Sequence, residues 1–134
     1  MDYIAQQDGY GCGIASIANA TGLTYDEAKT HVDVAYAVSR EHYSQDIAKA
    51  MGEITGNTYA YRKAADDEDP ESFPDGAIVF IENSDRYAAG HWLTKVHGGW
   101  ADPWINLAEQ NNLQVKAGLQ EKLPGKARWI VYQV

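Results

Sequence analysis

The chain has 134 residues, of which 45% are hydrophobic, and it includes nine tyrosines and four tryptophans. This composition excludes a disordered chain, and the length predicts one domain, residues 1–134, able to bury about two-thirds of its unfolded surface. The formal net charge is −8 and the eleven lysines and arginines are scattered. Binding to nucleic acid or anionic lipid is therefore not expected, because phosphate recognition needs clustered basic residues.

The N-terminus and the cysteine content bear on the compartment. Residues 1–6 contain no basic segment followed by an apolar run, and no later stretch approaches about 18 apolar residues, so we expect neither a secretory signal nor a membrane span. The single cysteine cannot form an internal disulfide, and a reactive thiol keeps best in a reducing compartment. The sequence therefore predicts a cytoplasmic protein.

That cysteine, Cys12, stands between Gly11 and Gly13 at the predicted start of a helix. A helix N-terminus lowers the pKa of a thiol through its unpaired N–H groups and its dipole, and the same N–H groups can stabilise an oxyanion. Gln6, six residues earlier, can donate a second hydrogen bond to that oxyanion. The pattern predicts a nucleophilic Cys12, and the alternative is a small buried core cysteine.

Helical patterns occupy the first 55 residues. Gly22 and a capping box, Thr24-Tyr25-Asp26-Glu27, separate the first helix from the second, and Ser44 can cap a third. The predicted helices are Cys12 to about Ala20, Tyr25 to about Val38, and Gln45 to about Gly52.

Strand patterns occupy most of the remainder, and helices followed by strands are typical of an α+β fold. We expect N-terminal helices packed on a C-terminal antiparallel sheet, with the polar segment Glu82–Gly90 forming a lip over a cleft. No element is predicted over Asn106–Lys126, where the periodicity is weak. The predicted strands are 58–62, 77–81, 91–96, 100–102 and 129–134.

A base for Cys12 must come from the four histidines. Three of them are typical of surface, packing or turn positions: His31, His42 and His97. His91 differs, because it begins a short strand directly after Gly90, and the partner strand of its hairpin ends at Asp102. A histidine at a strand start beside a carboxylate suits a thiolate–imidazolium pair with an orienting acid.

The register of that hairpin decides which residue orients His91. A four-residue loop over 95–98 places His91 opposite Asp102 and completes a triad. A two-residue turn at Gly98-Gly99 places it opposite Asn106 instead. The proline after Asp102 cannot donate to a ladder and would end the strand there, which favours Asp102. An Asp-Pro turn initiator is the alternative interpretation of this residue.

The chain resembles the papain-like cysteine peptidases, and most closely the bacteriocin-leader-processing peptidases, at Gln6, Cys12-Gly13, His91 and Asp102-Pro103. The resemblance spans roughly residues 4–104. It implies a papain-like fold, a glutamine oxyanion hole, a Cys-His-Asp site and a peptide or protein substrate cleaved at a peptide or isopeptide bond after small residues. The chain departs from the family at Gly11, where members usually carry an aspartate, and in its shorter interval from His91 to Asp102.

The sequence also bears on other chemistries and functions. One cysteine and four histidines lack the paired spacings of a zinc site, and no glycine-rich loop leads into a lysine, so we expect no metal, nucleotide or other cofactor. The same constellation can run deamidation or transamidation, and a papain-like fold can serve as a catalytically idle binding module.

The acidic run 66–69 is typical of a solvated loop or of a surface for a basic partner. The sequence leaves the oligomeric state open.

Overall fold

The computed structural model describes residues 2–32, 43–107 and 114–134. These residues form an α+β fold in which a six-stranded antiparallel sheet carries helices on one face. The expected α+β class, with N-terminal helices packed on an antiparallel sheet, is confirmed.

Three helices lie in the described ranges: α1 (Cys12–Thr21), α2 (Tyr25–Lys29) and α3 (Ser44–Thr55), with a single 3-10 turn at Pro70–Ser72. The start of α1 at Cys12 is confirmed. Gly22 ends the helix in the left-handed conformation (φ 82°), and its N–H donates to Ala18 O at 2.9 Å. None of these helices is both long and apolar enough to cross a membrane.

The second helix begins as predicted and ends earlier. The Thr24 hydroxyl accepts the Glu27 N–H at 3.1 Å and the Glu27 carboxylate accepts the Thr24 N–H at 3.0 Å, which completes the capping box. The helix stops at Lys29, where N–H groups bond three residues back and the Thr30 hydroxyl donates to Glu27 O at 2.7 Å. The continuous helix to Val38 is therefore wrong, and residues 33–42 lie outside the described ranges.

The third helix also departs from its predicted ends. Ser44 is its first helical residue rather than its cap, and the Asp46 carboxylate accepts the N–H of Tyr43, the residue before the helix, at 3.2 Å. Gly52 lies within the helix, which continues to Thr55. Gly56 ends it, because this glycine adopts the left-handed φ of 76°.

The strands agree with their predicted ends within two residues, except that one was missed. They are β1 (Tyr59–Lys63), β2 (Ile78–Ile81), β3 (His91–Val96), β4 (Gly99–Asp102), β5 (Gly118–Gln120) and β6 (Ala127–Gln133). Their order across the sheet is β1-β6-β2-β3-β4-β5. The missed strand, β5, pairs with β4 and has only three residues, too few for an alternating pattern to show.

Apolar side chains bury against both faces of the sheet. One cluster joins α1 and α3 to Ile78, Trp92 and Val131. The other lies on the opposite face and includes Leu93 and Trp100. Successive residues of β3, Trp92 and Leu93, therefore face opposite clusters, as the pleat of a strand requires. The Thr94 hydroxyl donates to Ser16 O at 2.7 Å and fixes α1 along β3.

Both predicted registers of the β3–β4 hairpin are wrong. Val96 pairs with Gly99 and Thr94 pairs with Ala101, which leaves His97-Gly98 as the turn. Gly98 supplies the left-handed φ of 87° that such a turn needs at its second position. Gly99 belongs to the strand, where a Cβ atom would lie 2.3 Å from Gln120 O of β5. Glycine is therefore needed at position 99 because the two backbones approach closely, and not because of the turn.

We predict that Gly90→Ala destabilises the protein much more than Gly22→Ala. Both glycines have nearly equal positive φ values, 78° and 82°. A Cβ atom at Gly90 would also lie 2.3 Å from the Phe80 ring and 2.9 Å from Ile81 O, whereas the space around Gly22 is open. Urea unfolding should give a loss of about 1 kcal/mol for Gly22→Ala and about 3 kcal/mol or more for Gly90→Ala. Equal losses would contradict this reading of the Gly90 turn.

Candidate functional site

Cys12 is the first residue of α1 and follows a tight turn. The Gly11 N–H donates to Asp8 O at 3.0 Å and closes the turn, and the Ala15 N–H donates to Gly11 O at 3.0 Å and closes the first helical turn. The N–H groups of residues 12–14 precede that bond and have no carbonyl partner within the helix. The Cys12 side chain is buried, with 6% of the residue exposed. The expected placement of the thiol at the helix N-terminus is confirmed.

Gly11 is fixed by the side chains that hold this turn. A Cβ atom at position 11 would lie 2.0 Å from the Tyr25 hydroxyl, so any larger residue here would have to displace that hydroxyl. That hydroxyl donates to the Asp8 carboxylate at 2.7 Å, and Lys29 donates to the same oxygen at 2.9 Å. Burial opposes ionisation of Asp8, but these two partners lower its pKa below the ordinary value. The carboxylate of this turn therefore comes from Asp8, four residues before the cysteine.

Gln6 is buried and lies beside this turn. Its side-chain Nε2 donates to Asp8 O at 2.9 Å and to Gly9 O at 3.2 Å. Its Oε1 is buried without a hydrogen-bond partner among the described residues. The backbone N–H of Gln6 donates to Pro103 O at 3.2 Å. Gln6 thus ties the cysteine turn to the end of β4, and an oxyanion bound by its Nε2 would compete with the longer bond, to Gly9.

His91 lies between Cys12 and Asp102. Its Nε2 is 2.8 Å from Asp102 Oδ1, its ring lines the same cavity as the Cys12 side chain, and its interaction with the thiol helps to raise its pKa. Because Nε2 is engaged by the carboxylate, Nδ1 is the nitrogen left for the thiol. The contact with Asp102 is diagonal across the hairpin, since the register pairs Thr94 with Ala101 and its continuation places Leu93, rather than His91, opposite Asp102. The predicted contact between His91 and Asp102 is present, but the register from which it was predicted is wrong.

Asp102 is fully buried at the end of β4 and accepts hydrogen bonds from four groups. Oδ1 accepts from His91 and from the Trp104 N–H, the latter at 2.9 Å. Oδ2 accepts from the Tyr87 hydroxyl and from Gln120 Nε2, the latter at 3.1 Å. A buried carboxylate needs such partners to remain ionised. The strand ends at this residue because Pro103 follows, as predicted.

The electrostatics of the pair favour its charged form. Burial alone lowers the pKa of His91, but hydrogen bonds with Asp102 and with Cys12 outweigh it and raise the pKa to about 9. Burial would raise the pKa of Asp102, whereas the bonds from His91, Tyr87 and the Trp104 N–H lower it to about 2. At neutral pH the imidazolium and the carboxylate are therefore both charged.

The other sequence candidates lie away from this pair. The side chain of Asn106 donates to Gln114 O at 2.8 Å and accepts the Lys116 N–H at 3.0 Å, so its hydrogen bonds go to the segment before β5 and not to His91. His31 lies on the surface 3.6 Å from the Glu53 carboxylate, and His97 lies in the hairpin turn as predicted. His42 is outside the described residues.

A cavity of about 360 Å³ opens beside Cys12 and His91. Residues 85–90, between β2 and β3, form part of its wall, as expected for the lip over the cleft. Gln6, Tyr10 and Trp104 line it as well. Of the three tryptophans near the site, Trp92 and Trp100 pack in the two apolar clusters, and only Trp104 reaches the cavity.

Sequence reasoning missed two of the side chains that hold the pair. Tyr87 is fully buried, and its ring stacks on the His91 ring with centroids 4.3 Å apart and an interplanar angle of 7°. It is the only aromatic residue between Glu82 and Gly90, which is the one signal that marks it. Gln120 lies in β5, where the sequence gave no strand pattern.

A scan against protein-family models finds no match for this chain, and a search of curated proteins finds none either.

We predict that the contribution of the His91–Asp102 pair to stability is largest between about pH 4 and pH 6.5. The lowered pKa of Asp102 gives stability that is present above its ordinary value of 3.8 and is lost as the pH falls through about 2. The raised pKa of His91 gives stability that is present below its ordinary value of 6.5 and is lost as the pH rises through about 9.

Urea unfolding of the wild type and Asp102→Asn from pH 2 to pH 10 checks this window. The difference in the free energy of unfolding should reach about 3 kcal/mol within it and shrink on both sides. Asp75→Asn is the matched control, because Asp75 is exposed and pairs with Lys95 at 3.4 Å; its loss should stay below about 1 kcal/mol. A pH-independent difference for Asp102→Asn would contradict the paired charges.

Proposed function

We propose that this protein is a papain-like cysteine peptidase that hydrolyses a peptide or isopeptide bond. The observation that carries the proposal is that one buried imidazole bonds to Asp102 and lies, with Cys12 at the first position of a helix, in the wall of one cavity. A nucleophile, a base and an orienting group in this order are what acyl transfer by a thiol requires. The raised pKa of His91 supports a thiolate–imidazolium pair.

In the acylation step, the Cys12 thiolate attacks the substrate carbonyl carbon and the carbonyl π electrons move onto oxygen. The unpaired N–H groups at the start of α1 lie beside the thiol and suit the resulting oxyanion. Gln6 Nε2 is the second donor that we assign to this role, by exchanging its 3.2 Å bond to Gly9 O for one to the oxyanion.

Collapse of that intermediate expels the amine and leaves a thioester on Cys12. The His91 imidazolium gives its proton to the departing amine, and the now neutral imidazole takes a proton from water as the water attacks the thioester. The carboxylic acid product leaves, and the thiolate–imidazolium pair is restored. Asp102 stays ionised throughout, since its hydrogen bonds with His91, Tyr87 and the Trp104 N–H hold its pKa at about 2.

The same thioester can form from a side-chain amide or be released to an amine, which would make the protein a deamidase or a transamidase. We favour hydrolysis of a peptide or isopeptide bond because Gln6, Cys12, His91 and Asp102 match the pattern of the bacteriocin-leader-processing peptidases, and those enzymes cleave peptides. With that assignment we propose a peptide or protein substrate, no cofactor and a cytoplasmic location.

We predict that the wild-type protein, but not Cys12→Ala, generates new peptide termini in a cell lysate. Alanine removes the nucleophile and little volume, so the fold should be retained, as circular dichroism can check. Mass spectrometry of lysate incubated with each protein separates the reactions, because proteolysis creates termini, deamidation adds about one dalton, and transamidation adds an amine. Equal products from both proteins, or no product from the wild type, would contradict the peptidase assignment.

We predict that Gln6→Ala slows the appearance of those products by about a hundredfold, because one oxyanion donor is lost. Alkylation of Cys12 by iodoacetamide, which forms no oxyanion, should keep its wild-type rate. Gln7→Ala is the control, since Gln7 is the exposed neighbour of Gln6. If the alkylation rate falls in parallel with turnover, Gln6 acts only by holding the turn before Cys12, and the oxyanion role is wrong.

A further inference from the structure

The Tyr87 side chain contacts both members of the His91–Asp102 pair. Its ring stacks on the imidazole at 4.3 Å and nearly parallel to it, and its hydroxyl donates to Asp102 Oδ2. Tyr87 is fully buried, and burial together with the bond to Asp102 raises its pKa far above the ordinary value, so the hydroxyl keeps its proton.

The backbone of Tyr87 is itself fixed within the loop between β2 and β3. Its N–H donates to the Ser84 hydroxyl at 3.1 Å, and its carbonyl accepts the N–H groups of Ser84 at 3.0 Å and of Gly90 at 2.9 Å. The last bond joins Tyr87 to the residue directly before His91. The orientation of the ring is therefore set by a short closed loop that ends where β3 begins.

The two oxygens of Asp102 have separate partners. Oδ2 accepts from Tyr87 and from Gln120, whereas Oδ1 accepts from His91 and the Trp104 N–H. With Oδ2 occupied by two donors from different segments, rotation of the carboxylate would break two bonds. The oxygen that faces the imidazole is therefore held in place, and with it the choice of Nε2 for the carboxylate and Nδ1 for the thiol.

We propose that Tyr87 is a positioning residue for the thiol chemistry: it stacks on His91 and, with Gln120, occupies Asp102 Oδ2 so that Oδ1 faces the imidazole. This rests on the proposed function. A residue that only packs would affect stability, whereas a positioning residue sets how reactive Cys12 is at a pH where an ordinary thiol is protonated.

The test is the rate of Cys12 alkylation by iodoacetamide between pH 5 and pH 10. Cys12 is the only cysteine, so all the label reports on it. Tyr87→Phe keeps the ring and removes the hydroxyl, and Gln120→Met removes the other donor without touching the ring. Each should lower the rate at pH 6 by about tenfold, the effect of losing a hydrogen bond to a charged group, and leave the rate at pH 10 unchanged. The double variant should lose more than either.

Tyr132→Phe is the matched control, because Tyr132 is a partly buried tyrosine of β6 that packs against the same apolar cluster as Tyr87. Its ratio of rates at pH 6 and pH 10 should equal that of the wild type. Glutathione measured in parallel gives the rate of an ordinary thiol, and circular dichroism gives the melting temperature of each variant.

The outcomes separate the two proposals. If wild-type Cys12 reacts at pH 6 no faster than glutathione, the thiolate–imidazolium pair and the proposed function fail together. If the wild type reacts faster and the folded Tyr87→Phe and Gln120→Met variants keep the wild-type ratio, the positioning role is wrong and the proposed function stands. A Tyr87→Phe variant that melts lower but keeps the ratio assigns Tyr87 to packing alone.

Discussion

The candidate site depends on the burial of one charge, the carboxylate of Asp102. An ionised group in the interior is costly unless hydrogen bonds replace its water, and here four donors do so. They come from the loop before β3, from β3 itself, from the turn after β4 and from β5. The carboxylate thus joins four segments of the chain, and its bond with His91 also fixes the imidazole at the start of β3.

Two hydrogen bonds that involve neither His91 nor Asp102 fix α1 and the segment before it relative to this pair. Thr94 bonds to Ser16 O, so one point on β3 is fixed to one point on α1. From there, His91 lies three residues toward the start of the strand and Cys12 lies four residues, about one turn, toward the start of the helix. The bond from the Gln6 N–H to Pro103 O then joins the segment before Cys12 to the residue after Asp102. These two hydrogen bonds, one from the Thr94 side chain and one from the Gln6 backbone, therefore set the approach of the thiol to the imidazole.

What could be predicted from the sequence is what local chemistry decides. Gly22, the Thr24 capping box and the proline after Asp102 end or begin elements through their own conformational limits, and these predictions are confirmed. The predicted hairpin register was wrong because Gly99 is required by its close contact with Gln120 of β5 and not by the turn. These two residues are far apart in the sequence, and β5 is too short to show a strand pattern. Asp102 was named as the neighbour of His91 through a register that does not occur. The two residues are nevertheless in contact, because diagonal neighbours across a hairpin lie on the same face of the sheet.

The burial of Cys12 fits both interpretations of it, since the residue belongs to the apolar cluster under α1 and also lines the cavity. Its neighbours separate them. A buried ion pair gives a protein little stability beyond what two apolar residues of similar volume would give. Core packing therefore does not explain an imidazolium that lies beside a thiol and bonds to a carboxylate with four donors. Thiol chemistry does require this arrangement. The charge beside Cys12, more than the cysteine itself, points to a reactive site.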